Sequence, residues 1–500
     1  MTTLSTLAGN VSTVDNTQTL TNKDFTAASN TFPATGTQGF VASGAISTGD
    51  TVVLNSDGTV SVVAGVDQAV GTAVVFESAN SSYISATYDS NTQKVVIAYQ
   101  DDGNSNYGTA IVGTVSGTSI SFGTAVVFES ANSTSMSATY DANAQKVVIA
   151  YTDEGNSAYG TAIVGTVSGT SISFGTAVVF ESAISDYISA TYDSNAQKVV
   201  IAYRDGGNSN RGTAIVGTVS GTSISFGTAV VFESASSDYI SATYDSNAQK
   251  VVISYRDVGN SSYGTAIVGT VSGTSISFGT AVVFESATSQ YISATYDANA
   301  QKVIIAYTDV GNSSYGTAIV GTVSGTSISF GTAVVFESAS TTFISATYDA
   351  NAQKVVISYR DQGNSGYGTA IVGTVSGTSI SFGTAVVFES ASSYYMSATY
   401  DANAQKVVIA YRDDGNSSYG TSVVFQNEGT NAPDFVGLST QTVTDTDPVD
   451  VTIIGGTNED ITGLTAASLY YVADNGDLTT IVTDTYAGRA LASTKLLVRG

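Results

Sequence analysis

The chain has no cysteine, no histidine and no tryptophan, and only 3 prolines in 500 residues. Without cysteine there is no disulfide framework. Without histidine or cysteine, His/Cys zinc sites and the Ser-His-Asp and Cys-His catalytic centres are excluded. Charge is scarce, at 11% of residues, and one-sided: 16 basic against 41 acidic residues leave a net charge of −25. A field of that sign repels duplex DNA, so no nucleic-acid partner is expected. No run of 18 apolar residues exists, so no membrane insertion by a helix is expected. The first residues, Met1-Thr2-Thr3-Leu4-Ser5-Thr6, lack a basic and then apolar leader, so no secretory signal is expected. Carboxylates, tyrosines, hydroxyls and a few cations remain for chemistry, and no cofactor is expected. A hydrophobic content of 42% supports a real core.

What the chain has in abundance is repetition. The string Gly-Thr-Ala-Val-Val-Phe-Glu-Ser begins at Gly71, Gly123, Gly175, Gly227, Gly279, Gly331 and Gly383, a period of 52 residues. Such a period is read before any local pattern. Within the first period lie four apolar segments: strand A (83–88), strand B (94–99), strand C (107–115) and strand D (119–128). They are rich in Val, Ile, Tyr, Phe and Thr, and are bounded by Asn, Asp, Gly and Ser, which marks them as strands. Gly123 suggests a bulge within D. Strand B is a continuous apolar run, as suits a strand buried on both faces.

Four short strands in about fifty residues, repeated, define a propeller blade. Strands A, B and C occur seven times between residues 71 and 426. Strand D also occurs seven times, but its first copy, 72–77, precedes the first A, and none follows the last C. The N-terminal D strand is therefore expected to complete the last blade and close the ring, which removes exposed edges. The fold expected is all-β: a seven-bladed β-propeller over 71–426, flanked by small β modules at 1–70 and 427–500. Pro33, Pro433 and Pro448 all fall in the flanks, as the loss of a ladder N–H requires.

Differences between near-identical copies are informative. The A–B and C–D turns barely change. The D–A loops change, from Asn80-Ser-Ser-Tyr83 to Ser392-Ser-Tyr-Tyr395, and so do the B–C loops, whose first position runs Gln100, Thr152, Arg204, Arg256, Thr308, Arg360, Arg412. In an up-and-down blade these two loops share one end, so the variation maps to one face of the disc. Asp186, Arg204, Arg211, Asp238, Arg256, Gln290, Arg360, Tyr394 and Arg412 are the ligand-binding candidates there. Such a rim suits glycans, which are held by stacking and hydrogen bonds. The seven lysines, Lys94 and its equivalents, fall on the opposite face.

Seven aspartates, Asp89 and its equivalents to Asp401, end the A strands. They read as openers of the A–B turn that pair with the lysine five positions on. The B–C segment Asp101-Asp102-Gly103-Asn104-Ser105 lacks the length and terminal Glu of a calcium loop and reads as a turn. Acids abound, but no copy stands out with its own acid pair, so no catalytic residue, metal site or enzyme activity is expected.

Thr19-Leu-Thr-Asn-Lys23, followed by Asn30-Thr-Phe-Pro33, resembles a segment near the N-termini of tailed-phage fibre and virion proteins. The run from Gly463 to Thr479 and the ending from Ala490 to Gly500 are similar to C-terminal modules of marine-phage fibres. Asp24 departs from the first pattern, which carries Thr there. The resemblance implies a virion fibre or appendage subunit, assembled in the host cytoplasm, trimeric, with other virion proteins and a host-surface glycan or receptor as partners. A glycan-cleaving phage depolymerase and a bacterial lectin or adhesin are the alternatives.

Overall fold

A computed structural model describes residues 36–55, 57–66, 68–427, 429–430, 435–473, 475–481 and 485–498. The fibre-like segments at 19–23 and 30–33 lie outside the described residues. The chain divides into two compact units: Gln68–Asn427, and both flanks together, Met1–Asp67 with Glu428–Gly500.

Gln68–Asn427 is a closed ring of seven four-stranded antiparallel blades. In the first, strand B is Lys94–Asp101 and strand C is Tyr107–Ser116. The ring closes as the sequence requires. Val74 and Val75 pair with Ser422 and Thr421 of the last C strand, and Ala69 and Val70 pair with Gln426 and Phe425.

Two local expectations are corrected. The outer strand D is interrupted: Ser119–Phe122 pairs with the end of strand C, and pairing resumes only at Val126. Gly123 sits in the gap, where a Cβ would lie 1.8 Å from the Thr170 carbonyl oxygen of the next blade. The D–A "loop" is also not a loop. Val126–Asp141 is one 16-residue strand that leaves one blade as D and enters the next as A. It kinks at Ser135, whose φ of 48 is left-handed, and the corresponding residue does so in every copy. A bulge of this kind turns a strand from one sheet into another without breaking it.

The core lies between blades. Val95 to Tyr99 of strand B are all fully buried, as the apolar run demands. Alternate side chains serve opposite neighbours: Val96 and Ala98 pack on Val147, Ile149 and Tyr151 of the next blade. Each buried tyrosine donates across the blade boundary, as Tyr255 does to Glu233 at 3.1 Å and Tyr203 to Glu181 at 3.0 Å.

Around the axis, strands A are close enough for a side chain to bond the neighbouring backbone. Ser85 Oγ accepts the Ala138 N–H at 2.9 Å, Ser241 accepts that of Ala294, and Ser397 accepts that of Ala86. Every blade boundary carries this bond. Ser241→Ala is therefore expected to lower stability by about 1 kcal/mol, because a half-buried amide loses its acceptor; urea unfolding measures it.

The A–B turn is held as the sequence suggests, with one difference. Asp141 Oδ1 accepts the Ala144 N–H at 2.8 Å, and Gln145 takes a left-handed φ of 56. Asp141 and Lys146 are cross-strand neighbours. Yet the Lys146 ammonium donates to the Gln145 carbonyl, and among the described residues no Asp–Lys ion pair forms in the ring. The backbone amides already occupy the carboxylate, and a half-buried surface lysine gains little from it.

In the second unit, N- and C-terminal flanks share sheets. Thr37–Val41 pairs with Pro448–Ile453, and Thr51–Leu54 pairs with Phe435–Ser439. Pro448 is the first residue of its strand, where a missing N–H is tolerated. Each flank carries a hairpin: Thr51–Leu54 with Val60–Val62, and Leu469–Val472 with Leu478–Thr479.

Candidate recognition site

The kinked residues at the start of strand A meet at the ring axis. Tyr83, Tyr187, Tyr239, Tyr291, Phe343 and Tyr395 form an aromatic collar. Neighbouring rings are 5.1 to 5.4 Å apart, from Tyr187 through Tyr239, Tyr291, Phe343 and Tyr395 to Tyr83. Tilted contacts at that spacing are the favourable arrangement for aromatic quadrupoles. The seventh position is Ser135, so the collar is open between Tyr83 and Tyr187. Inside it, Ile84, Met136, Ile188, Ile240, Ile292, Ile344 and Met396 make an apolar floor, and the whole encloses a cavity of about 590 Å³.

Around the collar runs a ring of cross-strand pairs, one per blade. Asp186 faces Arg204, Asp238 faces Arg256, Gln290 faces Thr308, Thr342 faces Arg360, and Tyr394 faces Arg412. The first two blades carry Ser82 with Gln100 and Thr134 with Thr152. The D–A and B–C variation of the sequence therefore converges on one mouth.

Four arginines of this ring stack on aromatic faces. Arg204 lies 4.7 Å from the Tyr187 centroid and Arg256 lies 4.9 Å from that of Tyr239. Arg360 and Arg412 flank Tyr394 at 4.6 and 4.5 Å. Arg204 grips Asp186 through Nε and Nη2, at 2.6 and 2.5 Å, and reaches Asp238 through Nη1 at 2.6 Å. Asp238 also accepts from Arg256 Nη2. Burial disfavours the Arg204 charge, but Asp186 and Asp238 outweigh it and hold the guanidinium above its ordinary range. Arg256 Nε is buried without a partner among the described residues.

The structure thus brings Asp186, Arg204, Asp238 and Arg256 into one network, and Arg360, Tyr394 and Arg412 into another. Gln290 lies on the same ring between them. Arg211 does not join: as the first residue of its C strand it donates to the Ser234 carbonyl and to Asn208, away from the collar. The collar itself was missed by the sequence reading. Its signal was present, as an aromatic at one repeat position in six of seven copies.

The B–C turns are built to hold this display. Asp153 caps a single 3-10 turn, Glu154–Asn156, by accepting the Asn156 N–H at 3.1 Å. The same cap recurs in every blade except at Asp205. These carboxylates are spent on amides, as in a turn and not as in a calcium loop. Desolvation pushes Asp101, Asp257 and Asp413 above the usual carboxylate range.

The sequence matches no protein-family model and no curated protein. Solved structures are similar in fold. The BP39L lectin from Burkholderia pseudomallei superposes with a TM-score of 0.53 at 9% identity, covering 72% of this chain and 99% of that one. AofleA from Arthrobotrys oligospora reaches 0.41 at 10% identity, over 67% of this chain and 93% of that one. A leech intramolecular trans-sialidase reaches 0.41 at 9% identity, over 71% and 69%. The first similarity supports the propeller fold.

Proposed function

We propose that this chain is a non-catalytic recognition propeller that binds carbohydrate on its variable face, as the host-binding subunit of a phage virion appendage. The observation that carries the binding reading is the aromatic collar with its ring of arginine, acid and amide pairs. Sugars present apolar C–H faces to aromatic rings and hydroxyls to charged forks, and the cavity supplies both. This face diversifies, while the A–B and C–D turns barely change. BP39L, which shares the fold, is a lectin by name.

The non-catalytic reading follows from how the acids are used. The repeated ones serve structure: Glu233 takes the Tyr255 hydroxyl, and Asp141 and Asp153 take turn amides. Asp186 and Asp238 are tied to arginines. Most glycosidases set two acids with opposed roles across one bond; of the acids that line the mouth, Asp186 is tied to Arg204 and Glu154 accepts from Thr134. The virion reading draws its support from the resemblance in the flanks.

A panel of cell-surface glycans, scored for binding and for release of reducing ends, tests this. Binding to at least one glycan without cleavage is expected. Arg412→Ala is expected to weaken it about tenfold, since Arg412 stacks on Tyr394 and Tyr395. No binding across the panel, or release of reducing ends, would overturn the proposal.

A further inference from the structure

The site is not seven-fold symmetric, and its asymmetry has a location. Blade two replaces the collar aromatic with Ser135 and underlays it with Met136 where most blades have Ile. A notch results, walled by Tyr83 and Tyr187 and opening beside Thr134 and Glu154. Tyr187 already carries the Arg204 guanidinium on its face, but among the described residues no arginine lies over Tyr83, whose blade has Gln100 at the arginine position. That glutamine is engaged elsewhere: Nε2 donates to Asn132 Oδ1 at 2.6 Å.

The charge at the notch is unbalanced in one direction. The network Asp186, Arg204, Asp238 and Arg256 is neutral as a set. Glu154 stands outside it, accepting from Thr134 Oγ1 at 3.3 Å, and no cation pairs with it among the described residues. The Tyr83 hydroxyl registers that imbalance. Burial first, then Tyr395 and the negative charges of Glu154, Asp102 and Asp186, push its pKa up. An aromatic face with an unpaired carboxylate beside it attracts an organic cation.

We propose that the notch at Ser135 binds the protonated amino group of a hexosamine-containing glycan, once per ring, with Tyr83 and Tyr187 as walls and Glu154 as counter-charge. The proposal rests on the carbohydrate-binding reading and narrows it to a sugar class and a stoichiometry. The ammonium takes the place over Tyr83 that an arginine takes over Tyr187, and the pyranose ring fills the space of the missing aromatic.

Calorimetric titration of the full chain at about pH 6, where a sugar amine is charged, tests this with the glucosamine trimer and the N-acetylglucosamine trimer. One site per chain is expected, with the amine form bound roughly tenfold tighter. Glu154→Gln should erase that preference. Ser135→Tyr should abolish binding, and it should fold, because four other blades hold a tyrosine or phenylalanine between two aromatic neighbours at this kink. Equal affinity for the two trimers, several equivalent sites, or unchanged binding by Ser135→Tyr would overturn the proposal. So would equal affinity for a lysine peptide, which would make the notch a protein-binding site. If neither trimer binds while other glycans do, the amino-sugar assignment fails and the recognition propeller stands.

Discussion

Gly227→Ala is expected to destabilise the ring by about 3 kcal/mol, the upper end of what overpacking costs, whereas Gly383→Ala is expected to be neutral or slightly stabilising. Both glycines occupy the same place in the repeat, and both donate their N–H to a strand C carbonyl, of Val216 at 2.9 Å and of Val372 at 3.0 Å. They differ in what stands opposite. A Cβ on Gly227 would lie 1.8 Å from the Thr274 carbonyl oxygen in the next blade's C–D hairpin, and backbone cannot rotate away as a side chain would. The blade after Gly383 is the closing one, which has no such hairpin, so the nearest atom to a Cβ there is Val372 O at 3.9 Å. Removing glycine where there is room lowers the entropy of the unfolded chain and helps stability. Urea midpoints of the two variants against the parent measure the difference. Equal losses would mean that blade contact is not what keeps this glycine.

The thermal midpoint is expected to rise by several degrees as pH falls from about 7 to about 5 at constant ionic strength, the reverse of ordinary acid denaturation. The cause lies in the glutamates that end the D segments. Desolvation raises Glu77, Glu129, Glu181, Glu285, Glu337 and Glu389 above the usual carboxylate value. For Glu77 and Glu285 the next cause is a neighbouring aspartate, Asp101 or Asp309. Desolvation also raises Asp245, Asp297 and Asp349. A carboxylate whose folded pKa exceeds its unfolded one holds a proton more tightly when folded. Its stabilising contribution is full below the unfolded pKa and is lost as pH rises through the folded one. Acidification from neutral pH therefore restores stability through that window, and relief of self-repulsion at a net charge of −25 acts in the same direction. Glu285→Gln should flatten the slope. A midpoint that falls steadily from about pH 7 to about pH 5 would show that these groups are not desolvated in the folded ring.

The ring was legible in the sequence because the repeat acts as its own alignment. A period of 52 fixed the blade, and counting D against A strands exposed the strand that had to travel from one terminus to the other. The variable face followed from chain reversal alone, since consecutive antiparallel strands must send D–A and B–C connections to the same end. The kink at Tyr83 and its equivalents was hidden for a physical reason. Ser-Ser-Tyr and Ser-Asp-Tyr carry turn-forming residues, and a strand that changes sheets has the composition of a loop. The collar was hidden with it, because an aromatic opening a strand usually joins the core, and only the left-handed backbone points these rings at the axis. The bond from Tyr99 to Glu77 could not be seen either: the partners lie in different blades, and nothing local links a strand B hydroxyl to the end of an outer strand.

Ring closure has a consequence for how the molecule assembles. The segment that completes the last blade, Val74 to Glu77, has the same sequence as the corresponding segments of the other blades, and it pairs with Tyr419–Gln426 in the register that the others use on their own C strands. Over these four residues connectivity, more than fit, chooses the partner, while Val70 on Phe425 and Ala69 on Gln426 are pairings special to the closing blade. The other six C strands present nearly the same edge to this segment, and each is already occupied by the segment that follows it closely in the chain, at high effective concentration. The closing strand takes the one left over. Ring size is thus settled by counting, and the same vacancy is open to the matching strand of another copy when folding takes place in crowded company.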